Sequence, residues 1–181
     1  MIVKNSKLQG IKLFTPKVHY DDRGFFLESY NKIIQDILNV TFVQDNHSNS
    51  KKYVIRGLHY QWEPGVGKLV RVVYGEGLDV VVDLRTKSPT YGHWESFFLS
   101  ENNFQMVWIP NGFAHGFLSL KENTHLTYKT SGLYNSKAEG IINPLCPYLN
   151  INWTIPPELI KLSTKDMMAQ SFKQYKQQPK Y

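Results

Sequence analysis

A chain of 181 residues with 41% hydrophobic and 14% aromatic side chains can bury a real core as one domain, here spanning 1–181. Its net charge of +6 is compatible with nucleic acid, but the excess gathers partly in KNSK near the start and FKQYKQQPKY at the end. Those read more simply as solvated ends, and the remaining bias favours a doubly anionic small ligand. The single Cys146 excludes an internal disulfide, no apolar run approaches the roughly 18 residues that span a bilayer, and MIVKNSKLQGIKLF lacks a signal-peptide core. A cytoplasmic, reduced protein with no nucleic-acid or membrane partner is expected.

In chain order, short runs of β-branched and aromatic residues alternate with Gly, Pro, Asn and Asp. GFFLESY comes first, followed by a helical segment, NKIIQDILN (31–39). VTFVQDN, YVIRGLHY, KLVRVVY, LDVVVDLR, WESFFLS, QMVWIP, GFLSL and HLTYKT read as further strands. A second helical stretch runs from PELIKL through STKDMMAQSF, and the basic tail from about residue 172 reads as a loosely held extension. Many short strands and two helices predict an all-β sandwich or barrel with short peripheral helices. The two helical segments cannot supply alternating crossovers, so a parallel Rossmann sheet is not expected.

Period-two geometry then sorts the side chains. Ile55, Gly57, His59 and Gln61 share one face of their strand, and Arg56, Leu58 and Tyr60 the other. Lys68, Val70, Val72 and Tyr74 share a face, as do Asp79, Val81 and Asp83. Polar groups on faces that are otherwise barrel interior predict a lined cavity.

PNGFAH (110–115) fits the second half-motif of cupin barrels, in which a histidine projects inward. The first half-motif would want two histidines one residue apart, and here the pair is His59 and Gln61 with Lys68 nearby. An ammonium repels a divalent ion, so no catalytic metal is expected. His115 is either a core histidine satisfied by backbone or a pocket residue.

The remaining chemistry is proton transfer. An imidazole can take an α-proton from a ketone only if the developing enolate is stabilised, so His59 as base calls for Lys68 as oxyanion partner. Tyr128 could return a proton to the opposite face, or could be a half-buried barrel aromatic. His59 also needs a carboxylate to fix its tautomer. Asp166 is one candidate, although Ser163 and Asp166 are also spaced as a capping box. Asp79 and Asp83 are the rivals. Arg56 suits a diphosphate.

From about Tyr20 to Ser171 the chain resembles the dTDP-4-dehydrorhamnose 3,5-epimerases and their relatives acting on other nucleotide-linked 4-keto sugars. The matching runs are DDRGFFLESYN, FVQDNHSNSKKYVIRGLHYQ, GKLVRVVYGEGLDVVVDLRTKSPTYGHW, WIPNGFAHGFL, TYKT and LSTKD. The resemblance implies a metal-free cupin-type jelly-roll β-barrel, a homodimer and an epimerisation that needs no cofactor. It also implies His59 as base, Asp166 as its partner, Lys68 at the oxyanion and Tyr128 as proton donor. Arg56 falls on the diphosphate-binding position. Arg23 and Glu28 fall on residues lining the nucleotide-sugar site, with Arg23 contributed across the dimer. Gln44, Asn46, His115 and Tyr134 fall on further pocket positions.

The resemblance departs after TYKT, where Ser131, Gly132 and Leu133 precede Tyr134 in place of an Asn and two tyrosines, and again in GIINPLCPYLNINW. One stacking platform is missing, worth about 1–3 kcal/mol where a protein holds one. A guanine nucleotide carrying a 4-keto hexose or heptose is therefore an alternative to dTDP-4-keto-6-deoxyhexose. The expected product is a rhamnose-like or heptose unit for surface polysaccharide such as capsule or lipopolysaccharide. Inversion at a single centre, a ketoisomerase, a metal-dependent cupin and a non-catalytic nucleotide-sugar binding module are the other readings.

Overall fold

The computed structural model describes residues 1–181 and contains thirteen strands and three short α-helices. Two antiparallel sheets face one another as a jelly roll. In chain order the strands of the first sheet are β1 (Ile2–Asn5), β2 (Lys12–Thr15), β5 (Gln44–Ser50), β7 (Lys68–Tyr74), β10 (Met106–Ile109) and β12 (Thr124–Thr130), arranged β1-β2-β10-β7-β12-β5. The second sheet holds β6 (Ile55–Gln61), β8 (Glu76–Asp83), β9 (Trp94–Ser100), β11 (Phe113–Ser119) and β13 (Glu139–Ile141), in the order β13-β6-β11-β8-β9. β3 (Val18–Asp21) and β4 (Gly24–Leu27) form a separate hairpin.

Alternation along the strands builds three apolar layers. Val70, Val72, Val81, Phe113, Phe117 and Leu126 point between the sheets. On the outer face of the five-stranded sheet Leu58, Tyr60, Val80, Val82, Ala114 and Leu118 are covered by the C-terminal chain through Ile142, Trp153, Phe172 and Tyr175. On the outer face of the other sheet Phe14, Leu69, Met106 and Trp108 are covered by Ile34 of α1 (Lys32–Leu38). That helix is capped by Asn31, whose side chain accepts from the Ile34 N–H, and ends at Asn39 in the left-handed region.

Four expectations change. The strand expected over VTFVQDN begins only at Gln44 and runs through the polar NHSNS, because β5 lies at the sheet edge and needs few apolar contacts. The second helical stretch is broken into a 3-10 turn (Pro157–Leu159) and the four-residue helices α2 (Thr164–Met167) and α3 (Phe172–Tyr175). The tail is not loose: Phe172 and Tyr175 are each 1% exposed, and their burial outweighs the polar character of the lysines and glutamines between them.

The fourth change is in β6. Strict alternation would set Arg56 and His59 on opposite faces, yet they line the same cavity. Opposite β11 the register runs from Phe117↔Arg56 to His115↔His59, two steps on one strand against three on the other, which is a β-bulge. Gly57 makes it possible, with φ of +131° and no room for a side chain, since a Cβ would meet the Gly116 Cα at 2.5 Å.

Candidate active site

A cleft between the two sheets has two lobes that share His59, Lys68 and Tyr128. The smaller, about 140 Å³, is walled by Gln44, Asn46, Gln61, Tyr134 and Glu139. The larger, about 500 Å³, carries Arg56, His115, Lys161, Lys165 and Asp166. His59 comes from the five-stranded sheet, whereas Lys68 and Tyr128 come from the facing one. A group held at the shared point is thus flanked by an imidazole from one wall and by an ammonium and a phenol from the other.

His59 Nε2 meets Asp166 Oδ1 at 2.7 Å. A carboxylate accepts, so Nε2 carries the proton and Nδ1 keeps its lone pair, the form a base requires. Burial pushes the Asp166 carboxyl up, but the hydrogen bond and charge of His59 outweigh it and hold the group below the ordinary aspartate range. Asp166 also serves its helix, because its N–H donates to the Ser163 hydroxyl at 3.1 Å. Capping and orienting prove compatible: backbone and carboxylate of one residue do one job each.

The rival carboxylates are engaged elsewhere. Asp79 Oδ2 lies 2.7 Å from His115 Nε2, so His115 is satisfied by a buried carboxylate and not by backbone, and it lines the larger lobe. Asp83 binds Arg85, Ser88 and Thr90. Lys68 is lowered to about 8 by burial, against the raising effect of the Asp79 and Glu139 charges. Burial raises the Tyr128 phenol, offset in part by Arg56, which keeps it protonated and able to donate.

Gln44 donates to Asn46 at 2.9 Å, and the register Tyr128↔Asn46 places both beside Tyr128. Arg56 is held by the Ser50 hydroxyl at 3.0 Å and the Asn49 carbonyl at 2.9 Å. The Tyr134 hydroxyl donates to Glu139 at 3.1 Å, and Leu133 beside it is 63% exposed. Arg23 and Glu28 are not brought to this cleft: Arg23 pairs with Asp21 at 2.6 Å at the exposed tip of the β3–β4 hairpin, and Glu28 accepts from Asn31. Neither residue lines either lobe.

Sequence reasoning missed Glu139, Lys161 and Lys165. Glu139 sits on a three-residue strand with no motif around it, and bridges to Lys165 at 2.5 Å. Lys165 adjoins Asp166 in LSTKD, the one signal that could have drawn attention to it. At the position where a cupin would carry its second histidine, the Gln61 amide donates to the Pro64 and Leu133 carbonyls at 3.1 and 2.9 Å and accepts from the Asn135 N–H. No three His, Cys, Asp or Glu residues are grouped to hold a metal.

Residues 5–174 match the family described as dTDP-4-dehydrorhamnose 3,5-epimerase. The chain belongs to that family. The enzyme of this name from Shigella flexneri is 46% identical over 176 residues, covering 95% of this chain and 96% of the relative. The dTDP-6-deoxy-D-glucose-3,5-epimerase of Legionella pneumophila, solved with dTDP-4-keto-L-rhamnose, superposes with a TM-score of 0.91 at 42% identity, covering 95% of this chain and 93% of that one. A 3'-monoepimerase from Streptomyces bikiniensis, solved with dTDP-quinovose, has a TM-score of 0.89 at 31% identity, with 95% and 88% covered. As a member of the dTDP-4-dehydrorhamnose 3,5-epimerase family the chain is an isomerase, an epimerase of nucleotide sugars with the cupin-type jelly roll.

Proposed function

We propose that this chain, acting as one domain in the cytoplasm, inverts C3 and C5 of a dTDP-linked 4-keto-6-deoxyhexose, as the names of its relatives describe for them. The observation that carries the reading is the meeting of His59, Lys68 and Tyr128 from opposite sheets at the junction of both lobes. His59 Nδ1 removes the proton next to the ketone; the C–H electron pair becomes a double bond to C4, and the carbonyl pair moves onto the C4 oxygen as an enolate. Lys68 holds the enolate oxygen. Tyr128 delivers a proton to the opposite face, and solvent reprotonates the phenolate while His59 releases its proton. No electron leaves the sugar, so the reaction needs no cofactor.

Arg56, Lys161 and Lys165 set three cations around the larger lobe, where Asp166 is turned toward His59. That lobe suits the diphosphate. Gln44, Asn46 and Tyr134 take the rest of the ligand, and His115 lines its path. The exposed hairpin of Arg23, with Tyr20, Phe25 and Phe26 at 70, 57 and 67% exposure, supports a homodimer in which Arg23 and Glu28 complete the partner's site.

The exposed Leu133 favours a second reading, a guanine nucleotide carrying a 4-keto hexose or heptose, because it offers no stacking ring. Proton NMR in deuterated water with dTDP- and GDP-linked 4-keto sugars separates the two. Loss of the C3 and C5 signals with the dTDP sugar alone supports the first reading. Loss with the GDP sugar alone supports the second, and loss at one carbon identifies a single-centre epimerase.

A further inference from the structure

Past His59 the seam between β6 and β11 opens. The paired positions are Leu118↔Ile55, Phe117↔Arg56 and His115↔His59, and none follows at Gln61. On its other edge β6 stays paired with β13, Glu139 standing opposite Gln61. The Gln61 carbonyl is taken instead by the phenol of Tyr181, which donates to it. Tyr181 is itself fixed, since its carbonyl accepts from the Thr86 hydroxyl at 2.8 Å and the Thr86 N–H at 3.3 Å.

The neighbouring residues grip the same stretch from behind. The Tyr60 ring lies 5.4 Å from that of Tyr175 and 6.3 Å from that of Tyr181. Lys180 places its ammonium 4.8 Å over the Trp62 ring, and its N–H donates to the Tyr175 hydroxyl at 3.2 Å. Tyr60, Gln61 and Trp62 are therefore each held by residues 175–181, and the residue before them is His59. Residues 175–181 lie beyond the stretch 5–174 that matches the family.

We infer that Tyr181 is a positioning residue for the reaction: its hydroxyl replaces the missing rung between β6 and β11 and fixes where His59 and Gln61 meet the substrate. The inference rests on the epimerase reading above. A strand end without its rung frays, and a catalytic group displaced by a fraction of an ångström loses its near-attack geometry. Gln61 transmits the same displacement to the smaller lobe, because its amide ties the Pro64 and Leu133 carbonyls to β6.

Tyr181→Phe tests this, since it keeps the ring and deletes only the hydroxyl. Kinetics well below the unfolding temperature are expected to show kcat lowered about tenfold with a smaller rise in KM, since Gln61 reaches the smaller lobe. In long-range proton–nitrogen NMR spectra the His59 ring resonances move and those of the surface pair His47 and His125 stay. Lys180→Ala, which removes the cation over Trp62 and leaves the phenol, retains wild-type kcat. Wild-type kcat and unmoved His59 resonances in Tyr181→Phe would overturn the inference, as would an equal kcat loss in Lys180→Ala, which would assign the effect to general packing of the tail. If the wild type exchanges no sugar proton, the epimerase reading fails, and the His59 resonances alone decide the positioning claim.

Discussion

His59 and Asp166 stand 107 residues apart in sequence and 2.7 Å apart in space. The contact joins β6 to the four-residue helix α2, which is also tied down by the Lys165–Glu139 bridge and by the Asn143 amide donating to the Met167 carbonyl. Asp166 is 4% exposed, and its carboxyl titrates below the ordinary aspartate range. The folded chain therefore binds fewer protons at this group than the unfolded chain does at low pH. Its stabilising contribution is complete above about pH 4, the unfolded value, and is lost as the pH falls through the folded value. Urea unfolding from pH 6 downward is expected to show a flatter acid limb for Asp166→Asn than for wild type.

Lys68 produces opposite trends in activity and stability. With its ammonium lowered to about 8 by burial, kcat/KM should fall as the pH rises through that value, because a neutral amine no longer stabilises the enolate oxygen. Between pH 8 and the ordinary lysine value of about 10.4 the unfolded chain binds the extra proton, so the contribution of Lys68 to stability rises with pH. Lys68→Met should lose at least about 100-fold in kcat and should also lose this alkaline rise in stability. Paired pH–rate and pH–denaturation profiles check both.

Tyr128 separates exchange from inversion. With Tyr128→Phe the base and the oxyanion partner remain, so His59 can still remove a proton and return a deuteron to the face it came from. Solvent exchange is expected to persist while configurational change drops by about 100-fold or more. Mass spectrometry for deuterium and NMR for configuration, on the same sample, measure the two outcomes.

The legible parts of the sequence were the local ones. KLVRVVY and LDVVVDLR place β7 and β8 because alternating β-branched residues serve a buried strand, and His59, Lys68, Tyr128 and Asp166 each stand in a distinctive run. Arg56 was assigned to the wrong face because a bulge is set by pairing with β11, which period-two reading of one strand does not contain. Glu139 was invisible for a similar reason: β13 is strand only because β6 offers it an edge. The tail was misjudged because Phe172, Tyr175 and Tyr181 are separated by polar residues, and their common burial exists only against the back of the five-stranded sheet.

The bulge makes its own prediction. Gly57→Ala places a Cβ 2.6 Å from the His115 carbonyl oxygen in a backbone conformation that L side chains rarely adopt. The conformational strain alone is expected to cost about 1–3 kcal/mol. Any relief that straightens β6 turns Arg56 away from the cleft. Denaturation should report the lower stability, and KM for the nucleotide sugar should rise.

His59 as the base is the central claim about this site. Loss of the C5 proton of dTDP-4-keto-6-deoxyglucose to deuterated water, followed by NMR with wild type and with His59→Asn at equal folded concentration, isolates that step. Exchange slowed at least about 100-fold in His59→Asn is the predicted result. Exchange at the wild-type rate in that variant would contradict the account, because the proton would then be leaving by way of another group.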